Sequence, residues 1–226
     1  MHRNSAMMQP YSNLIFKARY FLVPWILWVV AAGIVLLTFS VSEIHLAVNS
    51  RNNAFLDWIM PWITRGAEGW TIVACCLLMF AWNRRAGLFI SLACIVPSGI
   101  VQLLKMTVFN GEPRPKWYFT FVEKTDLHYV PGVENWLYDS FPSGHTTAGF
   151  AFFFAIALCL RQRKIAILFF MAALAVGFSR IYLSQHFLLD VFAGSILGTV
   201  TTIIIFAEGT RRKWITLPIT RQREVS

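Results

Sequence analysis

The stretch that decides the fold is residues 142–207, PSGHTTAGFAFFFAIALCLRQRKIAILFFMAALAVGFSRIYLSQHFLLDVFAGSILGTVTTIIIFA. It holds three apolar runs, at about 146–160, 165–181 and 188–207. A surface helix of a soluble protein keeps a polar face; these runs are apolar nearly all round. The last also has the roughly 20 residues needed to cross a hydrocarbon layer. The first run gives way to Arg161, Arg163 and Lys164, and the second to the polar turn Ser179–Gln185. A basic cluster at one end and a polar turn at the other is the punctuation of helices that cross a bilayer back and forth.

Outward from this stretch, three further apolar segments lie at about 21–40, 69–83 and 86–104. The segments at 69–83 and 146–160 are short and must borrow flanking residues or be tilted. The expected fold is all-α, a polytopic membrane bundle of six transmembrane helices. Before the second span, Phe55, Trp58, Ile59, Trp62 and Ile63 recur at helical spacing. Two tryptophans on that face predict a helix lying at the membrane interface. The run Phe21–Ser40 is longer than a signal core and no small-x-small site follows it, so it reads as a retained span. Residues are 57% hydrophobic and 14% charged, against roughly 25% charged in soluble domains. We find no internal repeat and no low-complexity linker.

Net charge is +9, but the bases sit as short clusters between apolar runs. Nucleic-acid binding would need them on one exposed face, so no nucleic-acid partner is expected. With the N-terminus in the cytoplasm, Arg3, Lys17, Arg19, Arg84, Arg85, Arg161, Arg163, Lys164, Arg211, Arg212, Lys213, Arg221 and Arg223 all fall on that side. The acids there are Glu208 and Glu224, whereas the opposite side holds nine acids of the chain's 11. The positive-inside rule then puts both termini in the cytoplasm. Residues 1–20 form a cytoplasmic N-terminal segment, 21–207 the six-span domain and 208–226 a basic cytoplasmic tail. Cys75, Cys76, Cys94 and Cys159 all lie in apolar runs without metal-ligand spacing and read as packing residues.

This orientation brings Lys105–Pro142 and Ser179–Gln185 to the same outer side. The polar residues at these span ends are Lys105, Arg114, Ser143, His145, Arg180, His186 and Asp190. Ionisable groups at membrane depth are costly and suggest function. Three cations on one pocket call for an anion, and the arginine fork matches phosphate oxygens in a bidentate way. Ser143 and Gly144 open a span, so a hydroxyl, free N–H groups and the positive helix end face the same place. His186 and Asp190, four apart, share a helix face if the last helix starts at His186. A carboxylate on one ring nitrogen fixes the tautomer and frees the other for attack. His145 is a second imidazole, suited to protonating a leaving oxygen. Together they fit phosphoryl transfer through a phosphohistidine, with no metal ion or cofactor. His2, His45 and His128 lack such company and read as solvated. Trp117, Tyr118, Phe119 and Phe121 read as anchors of the long loop at the membrane surface.

Pro142-Ser143-Gly144-His145, and Ser179-Arg180 followed by five residues, His186, three residues and Asp190, resemble the second and third motifs of the type 2 phosphatidic acid phosphatase (PAP2) family. The family's first motif is a lysine, six residues and Arg-Pro. Here eight residues separate Lys105 from Arg114-Pro115, which leaves Lys116 as an alternative lysine. The resemblance runs from about residue 69 to 205 and implies a six-span helical bundle with metal-independent phosphatase activity. It implies Lys105, Arg114, Ser143, Gly144 and Arg180 as phosphate ligands, His186 as nucleophile, Asp190 as its orienting partner and His145 as acid and later base.

The expected function is hydrolysis of a lipid phosphate or diphosphate at the outer face of a bacterial inner membrane. The substrate would be of phospholipid, isoprenoid or lipid A type: undecaprenyl diphosphate, phosphatidylglycerol phosphate, phosphatidic acid and lipid A all remain open. A lipid phosphotransferase, or a non-catalytic carrier or sensor of lipid phosphates, would use the same pocket. A metal-dependent hydrolase is disfavoured by the cations. A serine hydrolase at Ser143 is disfavoured because no G-x-S-x-G elbow surrounds it.

Overall fold

The structure, a computed structural model, describes residues 3–160 and 162–215, with side chains from residue 18 onward. Among these residues it is all-helical, without strands. The helices are α1 (Arg3–Thr38), α2 (Val41–Asn49), α3 (Ala54–Arg65), α4 (Gly69–Trp82), α5 (Arg84–Thr107), α6 (Pro115–Tyr118), α7 (Gly144–Leu160), α8 (Arg163–Tyr182) and α9 (Leu188–Arg211). A π-helical turn, Phe119–Glu123, continues α6. Polar caps set the starts. Ser40 and Glu43 form a reciprocal capping box on α2. Asn53 Oδ1 accepts from Leu56 N at 3.0 Å to start α3, and Asn83 Oδ1 takes the Arg85 and Ala86 N–H groups at the start of α5.

Every expected apolar segment is a helix, but their lengths differ. Four helices are long and apolar enough to cross a membrane: Ala18–Thr38 of α1, α5, α8 and α9. α4 is too short alone. It joins α3 at a 50° bend, and the pair qualifies together as one broken span or a re-entrant loop. The helix expected over Phe55–Ile63 is therefore the first arm of this bent pair. Phe55, Trp58 and Trp62 are exposed along it, while Met60 and Thr64 face inward. α7 has 17 residues and is short for a span.

α7 is the centre of the bundle, packed against α5, α8 and α9. Phe150 and Phe154 on α7 meet Phe21, Phe89, Phe170 and Phe206 from the surrounding helices in a core at one end. α1 lies outermost and exposes Val23, Ile26, Leu27, Val30 and Ile34. An apolar outer surface costs nothing in lipid, where helix association depends on close packing instead. Glycines provide that closeness where α9 crosses α7. A Cβ at Gly198 would stand 2.3 Å from the Thr147 carbonyl oxygen, and one at Gly194 2.8 Å from that of Ser143. Because α9 can touch the first turn of α7, the motifs that begin the two helices lie side by side. Ser143 N donates to Asp190 O at 3.1 Å and fixes their register.

Candidate active site

Asp190 lies in the first turn of α9, buried beneath the turn that enters it. Its Oδ2 accepts from Ser140 Oγ at 2.5 Å, Phe187 N at 2.9 Å and His186 Nδ1 at 3.2 Å. The carboxylate therefore holds both the imidazole and the chain that carries it. With the Nδ1 hydrogen donated to Asp190, His186 Nε2 is left unprotonated. The ring is 2% exposed. Burial first, then the charges of Arg114, Arg180 and Lys105, hold His186 well below the ordinary histidine range. A neutral imidazole is the form that can attack phosphorus.

The three expected cations reach this place from separate elements. Lys105, on the last turn of α5, donates to Asp139 O at 2.7 Å. Arg114, before α6, donates from Nε to Tyr138 O at 2.7 Å, from Nη2 to Asp139 O at 3.2 Å and from Nη1 to Gln185 O at 3.2 Å. Arg180, near the end of α8, donates from Nη1 to Thr64 Oγ1 at 2.8 Å and from Nη2 to Gln185 Oε1 at 3.4 Å. Its Nε is buried without a hydrogen-bond partner among the described residues. A buried guanidinium donor left unpaired is costly, and an anion is the ligand that would satisfy it. Carbonyls from the Tyr138–Ser140 stretch orient Lys105 and Arg114 without cancelling their charge. Left-handed backbone at Asp139 (φ 61°) and Gly111 (φ 76°) shapes that stretch, and Gly111 N donates to Asp139 Oδ1 at 3.2 Å.

Lys105, and not Lys116, points into this cluster. Lys116 Nζ instead lies over the Tyr129 ring, 6.0 Å from its centroid. The chain between Lys105 and Arg114 turns directly after α5, where Phe109 N donates to Leu104 O at 2.9 Å. Ser143 is fully buried and caps α7, its Oγ accepting from Thr146 Oγ1 at 2.8 Å. The N–H groups of Gly144 and His145, in the open first turn of α7, carry no hydrogen bond among the described residues. Open N–H groups at a helix start are the kind of donors that can bind an anion. His145 is half-buried, within electrostatic reach of Arg180, His186, Arg114 and Lys105, and its ring nitrogens have no hydrogen-bond partner among the described residues. A mostly apolar cavity of about 580 Å³ adjoins Ser140 and Asp190, walled by Val41, Phe109, Phe141 and Leu189.

Three expectations from the sequence need correction. His45 is not solvated but 1% exposed, between the rings of Phe119 and Phe187, with Nε2 3.1 Å from Ser184 Oγ. His128 is half-buried and pairs with Asp57 at 3.0 Å. Phe119 is fully buried against Leu127 and Phe187 rather than anchored at the membrane surface. In each case at least one partner lies far away along the chain, as Phe187 does from Phe119 and Asp57 from His128, and that company appears only after folding. His2 lies outside the described residues. Ser140, Gln185 and Thr64 are site residues the sequence did not single out. Ser140 stands two positions before the Pro-Ser-Gly-His run and Gln185 directly before His186, but neither residue type signals chemistry by itself.

A profile of the PAP2 superfamily matches residues 86–214, more than half of the chain. The chain is 32% identical over 173 residues to undecaprenyl-diphosphatase BcrC of Bacillus subtilis, covering 73% of this chain and 81% of that protein. It is also 32% identical over 117 residues to a lipid A 1-phosphatase of Rhizobium johnstonii, covering 50% of this chain and 45% of that protein. Among solved structures it resembles Aquifex aeolicus LpxE, with a TM-score of 0.62 at 24% identity, covering 75% of this chain and 96% of the other. It also resembles a PAP2-type phosphatidylglycerolphosphate phosphatase of Bacillus subtilis, with a TM-score of 0.60 at 23% identity, covering 90% of this chain and all of the other. Motifs, helical bundle and profile agree: this multi-pass membrane protein belongs to the PAP2 superfamily.

Proposed function

We propose that the protein hydrolyses a lipid phosphate or diphosphate at the outer face of the membrane through a phosphohistidine on His186. The observation that carries this reading is the buried imidazole of His186, held by Asp190 at 3.2 Å beside three cations, one of which keeps a buried N–H without a partner among the described residues. His186 Nε2 attacks phosphorus, and the bond to the leaving oxygen breaks as His145 gives that oxygen a proton. His145 then takes a proton from water, the water oxygen attacks phosphorus, and the P–N bond breaks to release inorganic phosphate. Lys105, Arg114, Arg180 and the N–H groups of Gly144 and His145 stabilise charge on the equatorial oxygens.

The six-span arrangement follows if α3–α4 and α7 each cross. The basic clusters support a topology with both termini in the cytoplasm and the site on the periplasmic or extracellular side of a bacterial cell membrane. Residues 1–20 and 208–226 are then cytoplasmic segments around the six-span domain of residues 21–207. Of the candidate substrates, an isoprenoid diphosphate is favoured, because the relative named for it is matched over most of its length. The cavity beside Ser140 and Asp190 would take the first part of the apolar chain. The test is phosphate release by purified protein in detergent, with chelator, from isoprenoid diphosphate, lipid A, phosphatidylglycerol phosphate and phosphatidic acid. Release fastest from the isoprenoid diphosphate supports the assignment, and release fastest from lipid A moves it. Binding without release, or phosphate appearing on a second lipid, replaces hydrolysis by the carrier or transferase function.

A further inference from the structure

Gln185 stands between the two arginines of the site and is 3% exposed. Its Oε1 accepts from Arg114 Nη1 at 3.3 Å and from Arg180 Nη2 at 3.4 Å. Its Nε2 donates to Glu134 O at 2.7 Å and Asn135 Oδ1 at 2.6 Å. A side-chain amide offers two acceptor sites and two N–H donors, and here all four positions are filled. The amide orientation follows from its neighbours. Reversed, its NH2 would face two guanidiniums and its oxygen two other oxygens. The backbone of Gln185 joins the same arrangement, with its N–H donating to Arg180 O at 2.9 Å and its carbonyl accepting from Arg114 Nη1 at 3.2 Å.

Two like-charged guanidiniums on separate elements repel each other. A shared neutral acceptor holds them together and leaves the charge of both available to an anion. A carboxylate in the same place would pair with them and compete with phosphate. The two N–H groups of the amide also tie this unit to the outer loop at Glu134 and Asn135, which is continuous with the Tyr138–Asp139 carbonyls that orient Lys105 and Arg114.

We propose that Gln185 is a positioning residue of the phosphate site, yoking Arg114 and Arg180 into one phosphate clamp and suspending that clamp from the outer loop at residues 134–135. It is not a catalytic residue, since it acts through the arginines. The proposal rests on the assignment of these cations to a phosphoryl group. It makes the outer loop a determinant of substrate affinity, and it explains a glutamine directly before the nucleophile where a carboxylate would be self-defeating.

The test uses the full chain in detergent and two readouts: binding of inorganic phosphate by calorimetry, and kcat and KM for lipid phosphate hydrolysis. Gln185→Leu should weaken phosphate binding about tenfold and raise KM in parallel. Gln185→Glu should weaken it further, although the glutamate keeps the size and the acceptor oxygens. Asn135→Ala, at a half-buried position of the outer loop, should weaken phosphate binding a few-fold, and its effect should largely vanish in a Gln185→Leu background. A folded Gln185→Leu with wild-type phosphate affinity overturns the proposal. So does a Gln185→Glu that binds phosphate as well as the wild type, or an Asn135→Ala effect that simply adds to that of Gln185→Leu. If either Gln185 variant fails to fold, the Asn135→Ala arm decides: an unchanged phosphate affinity overturns the proposal. Wild-type protein that binds phosphate but releases none from any lipid would instead overturn the hydrolase assignment and leave the clamp standing.

Discussion

At the scale of single residues the proposed chemistry depends on the protonation of two histidines, the buried His186 and the half-buried His145. His186 can attack only as the neutral ring, and burial beside three cations keeps it neutral well below the ordinary histidine range. The acid limb of kcat/KM should therefore not show a titration near pH 6.5 that belongs to His186. A limb there that shifts in Asp190→Asn would contradict this. Asp190→Asn should itself lower kcat on the order of 10²–10⁴-fold, because the amide can present its NH2 to Nδ1 and favour the wrong tautomer. Wild-type turnover in that variant would rule out the pairing. The spacing of four made the His186–Asp190 pair legible, although His186 sits in the turn before α9 and Asp190 in its first turn, so the two meet across the helix start and not along one helix face. Ser140, their third partner, was not legible. It reaches Asp190 across 50 residues of chain, through a contact that only the folded loop creates.

His45 shows the same limit and offers a stability test. Burial between two phenylalanine rings pushes its imidazole down to about 4. The unfolded chain takes up a proton below the usual value of 6.5, whereas the folded protein resists until near pH 4. The unfolded state then binds more protons in that window, so folding stability falls as pH drops from about 6.5 toward 4. His186 adds to the trend in the same direction. Thermal midpoints of wild type and His45→Gln in detergent isolate the contribution of His45. The variant should lose less stability between pH 7 and pH 5, and equal losses would contradict the assignment.

Among the elements, α7 and α9 carry most of the site, and glycine contacts hold them in register. Gly198→Val should lower the thermal midpoint and turnover together, because a side chain there meets the Thr147 backbone. Unchanged stability would mean that the close approach of the helices is not required. The α3–α4 bend matters for another reason. It puts Thr64 against Arg180, which explains why α3 belongs to the domain although it carries none of the motif residues. The sequence predicted a helix at Phe55–Ile63 from its tryptophan-rich face but not the contact to Arg180, since Thr64 is an ordinary residue at the end of that pattern. α2 forms the wall of the cavity at Val41. Val41→Trp should raise KM for long-chain isoprenoid diphosphates several-fold and leave short-chain analogues unchanged. An equal effect on both would move the lipid chain elsewhere.

For the whole molecule, the apolar runs were enough to place all the long helices, because lipid-facing helices need no polar face and so announce themselves by composition. The crossing geometry was less legible. Run length alone could not reveal that α4 meets α3 at a 50° bend, the pair together long and apolar enough for a broken span or a re-entrant loop, or that the short α7 is packed against α5, α8 and α9. The orientation rests on charge. Single cysteines at Trp136 and Lys213 in a cysteine-free background, probed in intact cells with a membrane-impermeant thiol reagent, should label at Trp136→Cys only. Labelling at Lys213→Cys alone would invert the topology and put the site in the cytoplasm.

The most direct measurement of the central claim is acid-labile phosphate on the protein, trapped by rapid quenching during turnover of labelled lipid diphosphate with chelator present. A phosphohistidine mechanism predicts label on the peptide that contains His186, and neither label nor phosphate release in His186→Ala. Label on another residue, or phosphate release by His186→Ala at the wild-type rate, would contradict it.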